Sequence, residues 1–198
     1  MNNMRTNKIR YTAMRRIESI CMALAFVACF SQISAQSRFI DRSGKASFFS
    51  SAPMEDIEAN SEQVVSILDV QSGEIVASML MRSFNFRKAL MEEHFNEKYV
   101  ESHKYPKAAF KGKVTNLADL DIKKDGKYTL NVKGEITIHG VTQPVEVKAQ
   151  AVVQNGTIQA KAVFPLTVKD FKIQIPRLVI NNIAEEVIAK SKGKVSAG

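Results

Sequence analysis

Between Tyr128 and Ile138 the chain alternates apolar and polar side chains one residue at a time. Tyr128, Leu130, Val132, Gly134, Ile136 and Ile138 fall on one side; Thr129, Asn131, Lys133, Glu135 and Thr137 fall on the other. Period two is the signature of a β-strand, whose successive side chains point to opposite faces. One greasy face and one wet face suit an antiparallel sheet, because strands of parallel sheets are apolar on both sides. The pattern recurs in Val145, Val147, Ala149, Ala151 and Val153, and again in Ile158, Ala160, Ala162, Phe164, Leu166 and Val168. Asn155-Gly156 between these two runs is a strong two-residue hairpin signal, since both residues tolerate positive φ.

Further strands are expected at 45–50, 64–68, 74–81 and 108–115, with a closing strand from Glu186 to about Val195. Asp125-Gly126, Ser72-Gly73 and His139-Gly140 mark turns between them. The stretch from Phe86 to about Tyr99 breaks the pattern. It lacks alternation, Gly and Pro, and Leu90, Met91 and Phe95 lie near one face of a helix. About eight strands with one inserted helix make an all-β chain, either an antiparallel barrel or a two-sheet sandwich.

Residues 1–35 read as a secretory signal and stand apart from the fold. Arg5, Lys8, Arg10, Arg15 and Arg16 precede an apolar run, Ile20 to Phe30, followed by small residues ending at Ser34-Ala35. The apolar run is shorter than the roughly 20 residues that span a bilayer. Met14, directly before Arg15 and Arg16, is an alternative start to Met1 or Met4. Cleavage after Ala35 is expected; lipidation at Cys29, within Phe26-Val27-Ala28-Cys29, is the alternative route.

Removing this segment takes away five basic residues and one acidic residue, so net charge falls from +8 to +4. The remainder has no Lys/Arg block of the kind that tracks a phosphate backbone, which argues against nucleic-acid binding. Both cysteines, Cys21 and Cys29, leave with the signal. Neither a disulfide nor a Cys-based metal site then holds the exported chain together, and an apolar core must do so. Residues 36–198 are of a size for one domain that buries such a core.

The inward faces mix large residues with many small ones: Ala77, Gly134, Ala149, Ala151, Ala160 and Ala162. An eight-stranded barrel can just be filled by side chains, or can hold one small ligand where they are small. Either an apolar hollow remains, or the alanines sit opposite bulky neighbours and interdigitate with them. Phe84, Phe86, Leu90, Met91 and Phe95 form a cluster that covers the interior as a plug or lines a passage into it. Candidate lining residues are Met79, Met81, Phe84, Leu90, Met91, Phe95, Phe110, Ile136, Ile138, Phe164 and Phe171.

Catalytic signatures are missing: no nucleophile elbow, phosphate-cradling loop, dinucleotide fingerprint or zinc-protease helix occurs. His94, His103 and His139 share no local metal-ligand spacing. His94 beside Glu92 and Glu93 is expected on a solvated helix face, and His139 in a turn. No enzymatic activity, metal or cofactor is expected. A binder of long apolar chains needs no such motif, because each buried CH₂ contributes roughly 0.8 kcal/mol. A few five-carbon units therefore offset an association cost of about 4–15 kcal/mol.

The run Gly134-Glu135-Ile136-Thr137-Ile138-His139-Gly140-Val141-Thr142-Gln143-Pro144-Val145 resembles the most characteristic stretch of the YceI-like family. Tyr105-Pro106 with Ala109-Phe110, and Asp170-Phe171, are similar to two weaker family elements in the same order. The likeness covers roughly residues 38–195. It implies a lipocalin-like antiparallel β-barrel in the periplasm, with a polyisoprenoid lipid in its interior. Lys172 stands where the family has Gly, Arg42 and Ser43 follow Asp41 where a His-Ser pair is usual, and residues 83–101 look like a divergent branch. A hydrophobic small molecule is the expected partner; an envelope scaffold that binds a protein, with a filled core, is the alternative. Ordinary lipocalins carry a Gly-x-Trp near the first strand, which a chain without Trp cannot supply.

Overall fold

The alternating runs form long strands, and those strands close into a ring. The structure is a computed structural model that describes residues 38–50, 56–174 and, by backbone only, 186–197. All of these belong to one compact unit, Gln36–Gly198. Residues 1–35, with Ala35 and Cys29, lie outside the described residues. The strands are β1 (Arg38–Ser50), β2 (Ile57–Asp69), β3 (Glu74–Leu80), β4 (Asn85–Phe86), β5 (Lys107–Val114), β6 (Gly126–Ile138), β7 (Val141–Gln154), β8 (Thr157–Thr167) and β9 (Glu186–Ala197).

Every pairing is antiparallel, in the order β1-β9-β8-β7-β6-β5-β3-β2, and β1 also pairs with β2. Eight strands thus run around a lipocalin-like barrel, and β4 adds two residues beside Ala59 and Asn60 on the free half-edge of β2. Closure removes the exposed sheet edge on which another chain could pair. Among the described residues no helix is long and apolar enough to cross a membrane.

The β7–β8 hairpin turns at Asn155 (φ 49°) and Gly156 (φ 70°), both in the left-handed region that the twist of a tight hairpin demands. β1 and β2 run much further than the apolar alternation indicates, to Arg38 and back to Ile57. The added part of β2 carries serine on its inward face. Ser61 Oγ lies 2.7 Å from Ser83 Oγ, and Ser83 donates to the Leu80 carbonyl at 2.6 Å. A buried hydroxyl with its partners met costs little, yet it erases the apolar signal that marks a strand. β1 shifts register between Asp41 and Gly44, a bulge in which buried Asp41 accepts the Ser43 amide at 2.9 Å.

The expected helix over 86–99 is shorter and interrupted. A 3-10 turn at Met81–Ser83 ends β3 one residue early, and Phe86 belongs to β4. The α-helix α1 spans only Ala89–His94 and passes into a π-helical turn, Phe95–Tyr99. The Phe86 amide donates to Glu92 at 3.2 Å, tying β4 to α1.

Two apolar clusters hold the barrel. One gathers around Phe39, Leu68, Val114, Leu130, Val153 and Ile158, at the end bearing the β7–β8 hairpin. The other gathers around Ala59, Met81, Phe84 and Val100 at the opposite end, beneath α1. There Phe48 sits amid Phe84, Phe86 and Phe95, with ring centroids 5.1, 5.8 and 5.5 Å away. Ring pairs at such spacings add about 0.5–1.5 kcal/mol each beyond their burial.

Candidate functional site

An apolar cavity of about 600 Å³ lies inside the barrel, bordered by residues of both clusters. Its size falls within the range of small-molecule sites, roughly 300–1,000 Å³. Ala77, Ala149, Ala160 and Ala162 line it, so these small inward residues border open space. Ala151 instead is buried in the first cluster, which also holds Phe39 and Ile158, and does not line the cavity.

Gly134 behaves differently again. It pairs directly with Gly112 across β5 and β6. A Cβ at Gly134 would stand 2.4 Å from the Lys111 carbonyl oxygen, 2.5 Å from Gly112 Cα and 2.9 Å from Phe110 Cζ. The Phe110 ring therefore lies across the glycine pair and occupies the room that the missing side chains leave. Here the interior is filled by interdigitation, a common way for an aromatic ring to support a glycine in a strand.

Of the candidate lining residues, Met79 on β3, Phe110 on β5, Ile136 and Ile138 on β6, and Phe164 on β8 border the cavity. So do Met81 and Phe84 around the first 3-10 turn, Met91 on α1, Phe95 on the π turn, and Phe171 after β8. Leu90 does not. Leu90 is 61% exposed, because neighbours on a helix point about 100° apart and α1 presents Met91 to the cavity. His94, expected on a solvated face, is half-buried and borders the cavity together with Tyr99. Phe48 is the main apolar residue missing from the candidates, although its inward phase on β1 marks it.

The three sequence elements of the family resemblance meet at one place, where β6 turns into β7. His139 (φ 53°) and Gly140 (φ 71°) make that turn. The His139 Nδ1 lies 3.0 Å from the Phe171 carbonyl, and Nε2 lies 3.1 Å from Glu101 Oε2. The Tyr105 ring stands edge-on to the imidazole at 4.4 Å, and a Cβ on Gly140 would reach within 2.7 Å of it. Gln143 Nε2 donates to the Asp170 carbonyl at 2.8 Å. The signature thus ties the 101–106 loop and the 168–171 turn to the barrel; it is a structural joint beside the cavity.

Both ring nitrogens of His139 thus lie within hydrogen-bond distance of an oxygen, one on each of the two segments that the turn joins. The Glu101 carboxyl is held below its ordinary value of 4.5 by hydrogen bonds from Lys104 and then His139. A depressed folded value means a stabilising contribution that is complete above the ordinary value and lost as pH falls through the folded one. The stability gap between wild type and Glu101→Gln should therefore be constant above about pH 4.5 and shrink below it. Urea unfolding across pH checks this, and a gap that stays constant into strong acid contradicts the joint. Replacing His139 by Ala should cost about 1–3 kcal/mol, through the carbonyl of buried Phe171 left unpaired, since Glu101 keeps Lys104.

Among the described residues, no three His, Cys, Asp or Glu side chains gather as a metal site. The protein resembles solved structures over most of its length. A polyisoprenoid binding domain from Saccharophagus degradans, implicated in plant cell wall breakdown, aligns with a TM-score of 0.71 at 13% identity, covering 82% of this chain and 99% of that one. Burkholderia cenocepacia BcnA aligns with a TM-score of 0.63 at 19% identity, covering 77% and 96%. The Campylobacter jejuni YCEI protein aligns at 0.55 and 14%, covering 73% and 86%. At these identities the likeness is one of fold. No curated protein matches the sequence. The family model for the YceI-like domain matches residues 26–192, and the chain belongs to the YceI-like family.

Proposed function

We propose that the protein is an exported carrier for an isoprenoid or similar apolar lipid chain, held in the barrel interior and acting in the periplasm. The observation that carries this reading is the cavity of about 600 Å³ walled by Phe, Met, Ile, Val and Ala side chains. Apolar surface enters such a site at roughly 25 cal/mol per Å² without any charged anchor. The Saccharophagus degradans domain of the same fold is a polyisoprenoid binding domain, which supports the ligand class. The three-part N-terminal pattern supports export. A filled scaffold for a protein partner needs a collapsed interior, and the cavity is well above the roughly 300 Å³ at which ligand sites begin.

Gentle purification from the native host, organic extraction and mass spectrometry should recover one apolar lipid per protein. Intact mass should show a chain that begins at Gln36; a lipid-modified Cys29 would make it membrane-anchored. Recovery of no lipid, together with no binding of added long-chain isoprenoids, would sink the carrier reading.

A further inference from the structure

The wall of the cavity is apolar along β5 and β6 but not beneath α1. His94 and Tyr99 both border it there, and both are partly buried. Among the described residues neither the His94 ring nor the Tyr99 hydroxyl has a hydrogen-bond partner. Their shared orientation depends on the π turn, in which the Val100 amide donates to the Phe95 carbonyl, five residues back, at 2.9 Å. In an α-helix, residues five apart point about 140° away from each other. The wider π turn closes that angle, and such turns recur at functional sites.

We infer that His94 and Tyr99 form a polar seat for the oxygen-bearing end of a ligand whose remaining length is apolar. The class is a neutral hydroxyl or carbonyl terminus. Burial raises the Tyr99 pKa above its ordinary 10.0, so the hydroxyl remains a donor throughout the physiological range. The imidazole supplies a second donor or an acceptor, according to its tautomer. An anionic head is disfavoured. The charged side chains of this segment, Arg87, Lys88, Glu92, Glu93, Glu97 and Lys98, do not border the cavity, and among the described residues the one Lys or Arg that does, Lys161, is exposed on β8. A carboxylate or phosphate would be taken out of water there with no fixed cation beside it.

This inference rests on the carrier reading of the cavity, and one experiment separates the two. Phytol and its hydrocarbon phytane, delivered from cyclodextrin, are titrated calorimetrically into wild type, Tyr99→Phe and His94→Leu. Each substitution should weaken phytol binding about 3- to 10-fold, the worth of one neutral hydrogen bond. Phytane, which carries no oxygen, should not be weakened in parallel, so the ratio of phytol to phytane affinity should fall in both variants. Tyr99→Phe removes only an oxygen without a protein partner, so its unfolding midpoint should match wild type and exclude misfolding as the cause. If both probes bind and neither substitution distinguishes them, the polar seat is wrong and the carrier reading stands. If neither probe binds wild type, both fall together.

Discussion

The double substitution Ala77→Phe, Ala162→Phe is expected to abolish copurification of lipid and to weaken phytol binding roughly 100-fold, while the protein still unfolds cooperatively. Ala77 on β3 and Ala162 on β8 both border the cavity, and these strands lie four apart whichever way the ring is followed. The two rings would thus enter from opposite walls. If they displace only four methylene equivalents of ligand, about 3 kcal/mol of binding is lost, close to two decades in affinity. Stability should change little, because the gain from burying each ring is offset by about 1–3 kcal/mol of local crowding. Extraction, calorimetry and thermal unfolding of the variant check the three parts separately. Undiminished binding by a folded variant would place the ligand somewhere other than the barrel interior.

Gly134→Ala is expected to destabilise by about 3 kcal/mol or more, although it adds a single methyl group. The added carbon would fall 2.4 Å from the Lys111 carbonyl oxygen and 2.5 Å from Gly112 Cα, both backbone atoms of the paired strand. Backbone in the middle of a hydrogen-bonded ladder cannot yield as a side-chain tip can, so β5 and β6 must move apart. For a domain of this size the unfolding midpoint should fall by about 6–12 °C. Phe110→Leu should not rescue it, because the clash with the carbonyl persists. Gly126→Ala is the control. A Cβ there meets only Tyr128 side-chain atoms at 3.5 Å or beyond, and stability should stay within about 0.5 kcal/mol of wild type. Wild-type stability in Gly134→Ala would contradict the close approach of the two strands.

The glycine pair illustrates how far a strand pattern can be read. Period-two alternation places Gly134 on the inward face, and that placement is correct. Whether the missing side chain leaves open space depends on Phe110, which reaches it across the β5–β6 ladder. Likewise Ala151 and Ala160 are both inward and small, yet one is sealed in a cluster and the other borders the cavity. Alternation specifies which face a residue takes. It carries no information about height in the barrel or about what stands on the opposite wall.

The segment from Ser83 to Glu101 was the least legible, and for a local reason. Its apolar residues fit one face of a continuous helix, but the chain forms a short strand, one and a half turns of α-helix and a π turn. Too short to be stable alone, these pieces take their shape from the rings of Phe48 and Phe84 beneath them. That tertiary support turns Leu90 outward and His94 inward, against the expectation for both.

What the amino-acid sequence determined by itself is the set of long alternating strands, the hairpin at Asn155-Gly156 and the likeness to the YceI-like family, because each depends on neighbours close along the chain. The tertiary structure alone decided that β1 meets both β2 and β9, that an apolar space survives between two packed clusters, and that His139 joins Glu101 to Phe171. Those outcomes depend on residues far apart in sequence and brought into contact only by closure of the ring, which no local period encodes.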